Sequence, residues 1–430
     1  MRSLQHALLK RGKIFAFLFG VAALSTSAFS QEERPSIKDA LGLTGSLRAA
    51  GFEHDKSGLN DYGYLVNGLW LNARPQEFYG FSSVFDYRIQ GQNLTRNTDT
   101  DDDLREAYLE RTVGNFDFKA GRFITVWGRA DKVNPTDVFS SRNYNLLVTD
   151  DEDQRLGTFA TQIAYYMDNY RLVGLWQPEW RQPEYPIGKL PQGVEIGYGL
   201  PKNREQQFGF KLDHSGSVDW SVSYSHTIDR GPDIKVASMT AQSQAFKLDF
   251  NPIHVVGMDI AVPVGDYGLR GEVAYTKTKD SNGNDPTIKN SNIFAVVGIE
   301  RTFDGVFNVN LQYLFRHTVD FKDPDSFSNP ADQATALYVG IFNNQLKENF
   351  SGATLRLNHK AFNETLESEV TLINWFYDES YGFLRPKITY SFSDTFRGAI
   401  GYEYYYGPEA TLFGRMKDMS SGFTEVRWLF

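Results

Sequence analysis

Residues 305–316 read GVFNVNLQYLFR, a stretch in which apolar and polar side chains alternate. Because successive side chains of a strand point to opposite faces, this period of two predicts a β-strand with one apolar and one polar face. A tilted strand needs about nine to eleven residues to cross a membrane, whereas strands of soluble proteins are usually about five or six residues long. The apolar face holds Phe307, Val309, Leu311, Tyr313 and Phe315, and the polar face holds Asn308, Asn310, Gln312 and Arg316.

The same alternation recurs along the chain, for example in residues 218–228 and 384–392. Counting such runs predicts about 18 strands. Residues 241–250 could add a strand, and 16 strands remain an alternative if weak runs near the N-terminus do not form. The strands are predicted near 43–52, 61–73, 78–90, 103–113, 115–124, 156–167, 169–178, 205–213, 217–228, 251–263, 267–277, 291–303, 305–316, 349–361, 364–377, 381–392, 395–406 and 422–430.

The predicted connections alternate in length. The odd-numbered ones are mostly long and polar, reaching about 30 residues at 125–155 and 317–348. The even-numbered ones are tight, and several contain the Gly, Asn and Asp residues that hairpin turns prefer. Outer-membrane barrels show this asymmetry, with short periplasmic turns and long extracellular loops. The tight connections lie at 74–77, 114, 168, 214–216, 264–266, 304, 362–363 and 393–394.

Composition supports a membrane barrel. Aromatic residues make up 15% of the chain, yet the mean hydropathy is −0.42. After residue 30 no stretch has the roughly 18 continuous apolar residues of a membrane helix. In a membrane, strands with one apolar and one polar face satisfy all their backbone groups only when the sheet closes. We therefore predict an all-β fold, a transmembrane antiparallel up-and-down β-barrel over residues 43–430.

Residues 1–30 have the features of a cleaved secretory signal. Four basic residues and no acidic one accompany an apolar run at 14–24 that is too short to span a bilayer as a helix. Ala28 and Ser30 occupy the −3 and −1 positions of a signal-peptidase site before Gln31. We expect residues 31–42 to be a short periplasmic segment. The export route would lead through the periplasm to the outer membrane of a Gram-negative bacterium.

The C-terminal residues carry a second targeting feature. Thr424, Val426, Trp428 and Phe430 fall on one face of the last predicted strand, and the sequence stops on Phe430. A terminal aromatic residue preceded by apolar residues at alternate positions is similar to the sorting signal that the barrel-assembly machinery recognises. We therefore expect that machinery to be a partner during biogenesis.

Charge and cysteine content exclude several classes of protein. The formal net charge is −9, and it becomes −13 when the four basic residues of the signal are removed, which argues against nucleic-acid binding. The absence of cysteine excludes disulfides and thiolate metal sites. The sequence has no HExxH zinc motif and no Gly-x-Ser-x-Gly nucleophile motif. We expect no catalytic site, no metal site and no bound cofactor.

The inward face of the barrel is predicted to carry twelve basic and twelve acidic residues. This balance argues against a sharply anion-specific pore. Near the C-terminus the charge alternates in sign between neighbouring strands, which favours a ladder of cross-strand salt bridges over a transverse field that orients a solute. The lumen-wall residues singled out are Arg356, Lys360, Glu367, Glu369, Arg385, Lys387, Arg397, Glu403, Glu425 and Arg427.

The third outer connection, residues 125–155, is the most distinctive. It reads VWGRADKVNPTD at 126–137 and SSRNYNLLVTDDEDQR at 140–155. Thr136 and Asp137 could cap a short helix. Paired charges would make the segment a rigid constriction of the barrel; a solvated surface loop and a partner-binding site are alternatives. The candidate constriction residues are Arg129, Asp131, Asp137, Arg142, Asp150, Asp151, Asp153 and Arg155.

Trp127-Gly128 followed by Asn134-Pro135-Thr136-Asp137 resembles a pattern in proteobacterial outer-membrane proteins of domain-of-unknown-function family 1302. The chain departs from that family in having Arg129-Ala130-Asp131 where a longer insertion is usual. The resemblance implies a barrel and traffic of a poorly soluble cargo. It brings no catalytic residues.

Two functions are consistent with the sequence. The first is a porin-like channel, in contact with outer-membrane lipids, through which small hydrophilic solutes diffuse. The alternative is a non-conducting component of an export or lipid-transport assembly, for which an apolar inner wall would be the distinguishing feature. A homotrimer is one assembly that the sequence allows.

Overall fold

The computed structural model describes residues 36–54, 63–92, 99–185, 194–199, 206–239 and 244–430. Its main element is a closed sheet of eighteen strands in which every neighbouring pair is antiparallel. The strands are β1 (Leu43–His54), β2 (Gly63–Ala73), β3 (Ser82–Gln92), β4 (Asp99–Val113), β5 (Phe116–Phe123), β6 (Thr158–Met167), β7 (Tyr170–Gln177), β8 (Gln207–His214), β9 (Asp219–Ile228), β10 (Pro252–Val264), β11 (Tyr267–Lys277), β12 (Asn292–Phe303), β13 (Phe307–Thr318), β14 (Asn349–Ala361), β15 (Leu366–Phe376), β16 (Tyr381–Ser391), β17 (Phe396–Tyr406) and β18 (Ser421–Leu429).

The barrel closes between its first and last strands. β1 pairs with β18 from Ser46 opposite Leu429 to His54 opposite Ser421. The backbone N–H and C=O of Phe430 exchange hydrogen bonds of 3.1 Å with Gly45 and extend this pairing to the end of the chain. The prediction of eighteen strands is confirmed, and the alternative of sixteen is wrong.

Residues 244–249 do form a strand, but it lies outside the barrel. Gln244–Asp249 pairs in parallel with Val194–Tyr198 and antiparallel with Asp233–Met239. Side chains of this small sheet and of the helix Pro330–Asn343 pack into one apolar cluster. The cluster contains Ile228, Ile234, Leu248, Phe250 and Val339. The cluster lies at the end of the barrel that carries the long loops.

The connections have the predicted asymmetry. At one end the turns are short, and their residues include Gly114, Asp168, Asp304 and Asn363 in left-handed conformations, with φ of 58°, 48°, 48° and 55°. Gly, Asp and Asn tolerate this conformation better than other residues do. At the other end lie the long loops, including residues 124–157 and 319–348.

The outward and inward faces of the strands differ in polarity as the sequence predicts. In β13, Leu311 and Tyr313 are about half exposed on the outside, whereas Asn310 and Gln312 are buried on the inside. Large apolar side chains are exposed in the same way on most strands, which gives the barrel an apolar outer belt. Such a belt matches the hydrocarbon core of a bilayer.

Helices are short and few in the described part of the chain. They are α1 (Ile37–Leu41), α2 (Pro330–Asn343) and α3 (Leu412–Arg415). In the described ranges no helix combines the length and apolar character needed to traverse a bilayer. The predicted signal, with Ala28, Ser30 and Gln31, lies outside the described residues.

Candidate functional site

The third loop (residues 124–157) joins β5 to β6 and lies inside the barrel. Within the loop, Ser141–Arg142 forms a short antiparallel pair with Arg155–Leu156, and a 3₁₀ turn at Asp151–Gln154 directly precedes the second of these segments. The loop makes hydrogen bonds or ion pairs with inward-facing residues of β1, β3, β4, β8, β10, β11, β14, β16 and β18. Contacts on so many strands mean that the loop crosses the lumen.

Glu272 of β11 is the main attachment point of the first half of the loop. Its carboxylate is buried and accepts hydrogen bonds from the backbone N–H groups of Arg129 (3.0 Å), Ala130 (3.0 Å) and Thr136 (2.7 Å). It also accepts one from the Thr136 hydroxyl (2.9 Å). Hydrogen bonds to a carboxylate are among the strong ones in proteins, so this cluster fixes the loop firmly.

The Trp-Gly and Asn-Pro-Thr-Asp pattern explains this geometry. Gly128 has φ of +92°, a conformation that L residues rarely adopt, and it directs the next two N–H groups towards Glu272. The Asn134 side-chain oxygen accepts from Thr136 N–H (3.2 Å). No helix follows Thr136, so the predicted capping role is wrong: its hydroxyl donates to Glu272 instead.

Arg129 and Asp131 of the loop pair with the wall. The Arg129 guanidinium contacts the carboxylate of Asp259 on β10 and lies 3.9 Å from that of Asp213 on β8. Asp131 lies 3.0 Å from Arg356 on β14. The sequence predicted pairs between charges of the loop, but these two residues pair with charges of the barrel wall instead.

The acidic turn (residues 150–153) is the second attachment point. Asp150 lies 2.9 Å from both Lys387 of β16 and Arg427 of β18. Asp151 contacts Arg385 of β16, and Asp153 lies 2.5 Å from Arg48 of β1. The turn therefore fits between cations of at least three strands.

These cations lower the pKa values of two carboxyl groups of the turn, those of Asp150 and Asp151. Burial alone would raise the pKa of Asp150 and Asp151. The charges of Lys387 and Arg427 beside Asp150, and of Arg385 and Lys132 beside Asp151, outweigh burial and hold both pKa values below the ordinary range. Both carboxylates are thus firmly ionised at neutral pH.

Asp137 and Arg155 form the predicted ion pair within the loop, at 2.6 Å. Burial raises the pKa of Asp137 in spite of the neighbouring Arg155. Arg142 donates to the carbonyl of Asp151 (2.8 Å) and lies 3.3 Å from Glu152. All eight candidate constriction residues therefore lie in the loop inside the barrel, and each has a charged or backbone partner.

The predicted ladder of cross-strand salt bridges forms only in part. Glu369 and Lys387 are opposite each other, with their charged atoms 3.9 Å apart. Arg356, Arg385 and Arg427 pair with carboxylates of the loop, because the loop brings acids closer than the next strand does. The remaining wall residues also lie on the inner face. Glu403 and Glu425 form ion pairs with Arg385 and Arg427, respectively. Near the turn end of the barrel, Glu367 accepts a hydrogen bond from Asn358, Lys360 pairs with Glu364, and Arg397 is exposed.

Apolar packing also holds the loop. Leu146 and Val148 pack on Trp70 of β2, and Trp127 and Phe139 pack on the wall beside Phe123. A larger cluster on the inner face of β12 to β16 consists of Phe294, Val296, Leu314, Phe350, Trp375 and Tyr381. The alternation in residues 291–303 places Phe294 on the inner face, but most of the cluster could not be predicted in this way, because aromatic residues at strand ends also suit the membrane interface.

In the described ranges no three His, Cys, Asp or Glu side chains are arranged to hold a metal ion. The charged groups of the site are instead paired with one another. The arrangement is a polar, charge-lined barrel interior crossed by a loop that is attached to the wall at several strands.

Fold and site define a barrel of the outer-membrane porin type. The family model described as "Protein of unknown function (DUF1302)" matches residues 57–296, more than half of the chain. The chain belongs to this family, as its Trp-Gly and Asn-Pro-Thr-Asp pattern indicated. A comparison with curated proteins found no match.

Several solved structures share the fold. Pseudomonas aeruginosa OccK5 (OpdH) has a TM-score of 0.52 and 11% identity, over 90% of this chain and 96% of that chain. Acinetobacter baumannii OccAB3 has a TM-score of 0.51 and 10% identity, over 90% and 98%. Pseudomonas aeruginosa OccK2 (OpdF), solved in complex with glucuronate, has a TM-score of 0.51 and 10% identity, over 90% and 96%. At these identities the likeness concerns the fold.

Proposed function

We propose that this protein is an outer-membrane channel through which small hydrophilic solutes diffuse, with the third loop as its constriction. The observation that carries the proposal is the loop's position: it lies inside an eighteen-stranded barrel and is fixed to opposite walls by Glu272 and by the acidic turn. A barrel of this size encloses a wide lumen, so a loop that narrows it without filling it would set the bore.

The lining supports polar cargo. Inward-facing residues of β8 to β11 include Asp213, Ser221, Ser223, Asp259 and Glu272. The apolar cluster of β12 to β16 would favour an export or lipid-handling role only if it faced the lumen openly. Its members are at most 8% exposed, so it offers little surface to an apolar cargo. OccK2, crystallised with glucuronate, is an example of a similar barrel that binds a small hydrophilic solute.

The proposal includes the route to the membrane. Residues 1–30 would direct export to the periplasm, and the C-terminal strand would be recognised by the barrel-assembly machinery. The apolar outer belt would then contact outer-membrane lipids. A homotrimer is compatible with this arrangement.

Swelling of liposomes that contain the refolded protein tests the channel. Sugars of increasing size, from pentoses to trisaccharides, are added outside the vesicles. A pore predicts fast swelling with the smallest sugars and a steep fall with size. Vesicles that do not swell with any sugar, although the barrel is folded in them, would refute the proposal.

A further inference from the structure

The long loops at one end of the barrel pack together into a cap that has an apolar core of its own. The core is the cluster formed by α2, by the small three-stranded sheet and by the end of β9. Trp180 and Tyr185, from the loop that follows β7, pack against it as well. The core thus joins the loops that follow β7, β9 and β13. It stabilises them as one unit, because opening any of them would expose apolar surface to water.

Helix α2 lies across the mouth of the barrel. The ring of Tyr338 on this helix lies 5.6 Å from the ring of Phe246, in the loop between β9 and β10. The guanidinium of Arg415, in the loop between β17 and β18, lies 5.0 Å from the same ring. Around the closed sheet, eight strands (β10 to β17) separate these two loops on one side and ten (β18 to β9) on the other. The loops therefore leave the wall at nearly opposite points, and α2 contacts both.

Three consecutive amide side chains at the end of α2, residues 343–345, attach the helix to three different elements; we call them the amide latch. The Asn343 amide donates to the carbonyl of Pro232, in the loop after β9 (3.0 Å). The Asn344 side-chain oxygen accepts from the hydroxyl of Tyr381, at the start of β16 (2.8 Å). These two hydrogen bonds connect the helix to parts of the wall that are seven strands apart in the barrel order.

Gln345 makes the third attachment. Its side-chain amide exchanges two hydrogen bonds of 3.0 Å with the backbone N–H and C=O of Asn290, in the loop after β11. Gln345 is 6% exposed, so the Asn290 backbone would lose its partner without gaining water if this side chain were removed. All the hydrogen bonds of the amide latch are between neutral groups. Such bonds each contribute modestly to stability, so the latch can open and close again.

From this arrangement we infer that α2 and the loops packed on it form an outer gate of the channel, which the amide latch holds closed. The gate lies against the third loop: Arg230 accepts from the Tyr185 hydroxyl of the cap at its carbonyl (2.6 Å) and donates through its guanidinium to the carbonyl of Phe139 (2.9 Å). A solute that enters from this end would meet the gate before the third loop. The inference rests on the proposed channel function and adds a second element that controls passage.

Thiol labelling of the purified full-length protein in detergent tests the gate and does not require the barrel to conduct. The chain has no cysteine, so Val339→Cys introduces a single thiol. Val339 is 4% exposed in the apolar core of the cap, and a maleimide can reach a thiol there only when the cap opens. Leu337→Cys, at an exposed position of the same helix, gives the rate for an open thiol.

The latch is varied in the V339C background. Gln345→Ala removes the two hydrogen bonds to Asn290, and Tyr381→Phe removes one hydroxyl at nearly constant shape. Gln333→Ala is the matched control, because the Gln333 amide of α2 donates, among the described residues, to carbonyls of its own loop.

V339C should react much more slowly than L337C. Q345A should raise the labelling rate of V339C about tenfold, as expected for the loss of two neutral hydrogen bonds; Y381F should raise it less, and Q333A should leave it unchanged. In planar bilayers, the fraction of time that the channel is open should increase in the same order.

Equal labelling of V339C and L337C, or equal labelling in Q345A and Q333A, would overturn the latched cap. Faster labelling in Q345A without a longer open time would show that the cap does not gate the pore, and this result also overturns the inference. Barrels that are silent in every variant, although labelling still responds to Q345A, would refute the channel itself and the gate with it.

Discussion

At Glu272, one carboxylate organises three backbone N–H groups and a hydroxyl of the third loop. The alternation in residues 267–277 is sufficient to place Glu272 on the inner face. It could not show what the carboxylate binds, because its partners are more than 130 residues away in the chain. Similarly, Arg385 lies diagonally across from Glu369 of the neighbouring strand, yet its closest partner is Asp151 of the loop.

Replacing Glu272 by Ala should release the first half of the loop. Each buried N–H that loses its acceptor costs about 1–3 kcal/mol, so the attached form should lose several kcal/mol while the barrel itself persists. Limited trypsin digestion measures this, since Lys132 and Arg142 lie in the loop. We expect cleavage there in E272A and protection in the wild type.

Glu300→Ala is the control, because Glu300 pairs with Arg270 on the same wall and makes no contact with the loop among the described residues. If E272A and E300A were cleaved equally slowly, Glu272 would not be the attachment point.

The third loop, as an element, was predictable in its position between β5 and β6 and in its charge content. Its path was not predictable, because a polar loop of this length can equally well be solvated outside the barrel. The strands were predictable because each one alternates between apolar residues that face the lipid and polar residues that face the lumen, so its own sequence contains the signal. The pairing between residues of the loop and residues of the barrel wall could not be predicted from the sequence.

The acidic turn makes the attachment of the loop depend on pH. The pKa values of Asp150 and Asp151 lie below the ordinary value of 3.8 in the folded loop. Their ionised forms therefore stabilise the attachment at any pH above the ordinary pKa, and this stabilisation disappears as the pH falls through the lowered values. We expect hydrogen exchange in residues 148–153, corrected for the intrinsic rate, to be constant from pH 8 to 5.

Asp150→Asn is informative in the same experiment. It removes the charge that Lys387 and Arg427 share, so exchange in the turn should rise at neutral pH. Exchange in the wild type that already accelerates between pH 7 and 5 would contradict the account of the turn.

The whole molecule depends on the closure of β1 against β18. Phe430 contributes the last pair of backbone hydrogen bonds, to Gly45, while Val426 and Trp428 face outwards. We predict that Phe430→Ser lowers the amount of folded barrel in the outer-membrane fraction several-fold, because it removes the terminal aromatic ring that the assembly machinery would recognise, although the backbone hydrogen bonds to Gly45 can still form. The measurement is the heat-modifiable band on a denaturing gel.

Phe392→Ser is the control, since Phe392 is an exposed aromatic residue near the same end of the barrel but lies outside the closing pair. Equal losses in the two variants would mean that general loss of apolar surface, and not the terminal position, causes the defect.

Single-channel conductance in planar bilayers tests whether the third loop constricts an open barrel. The wild type is compared with a variant that lacks residues 140–153, which include the whole acidic turn. We predict stable open steps for the wild type, and steps about twofold larger or more for the deletion, because only the first half of the loop would then narrow the barrel. Steps of equal size in the two proteins, or a wild-type barrel that is folded but silent, would contradict the account.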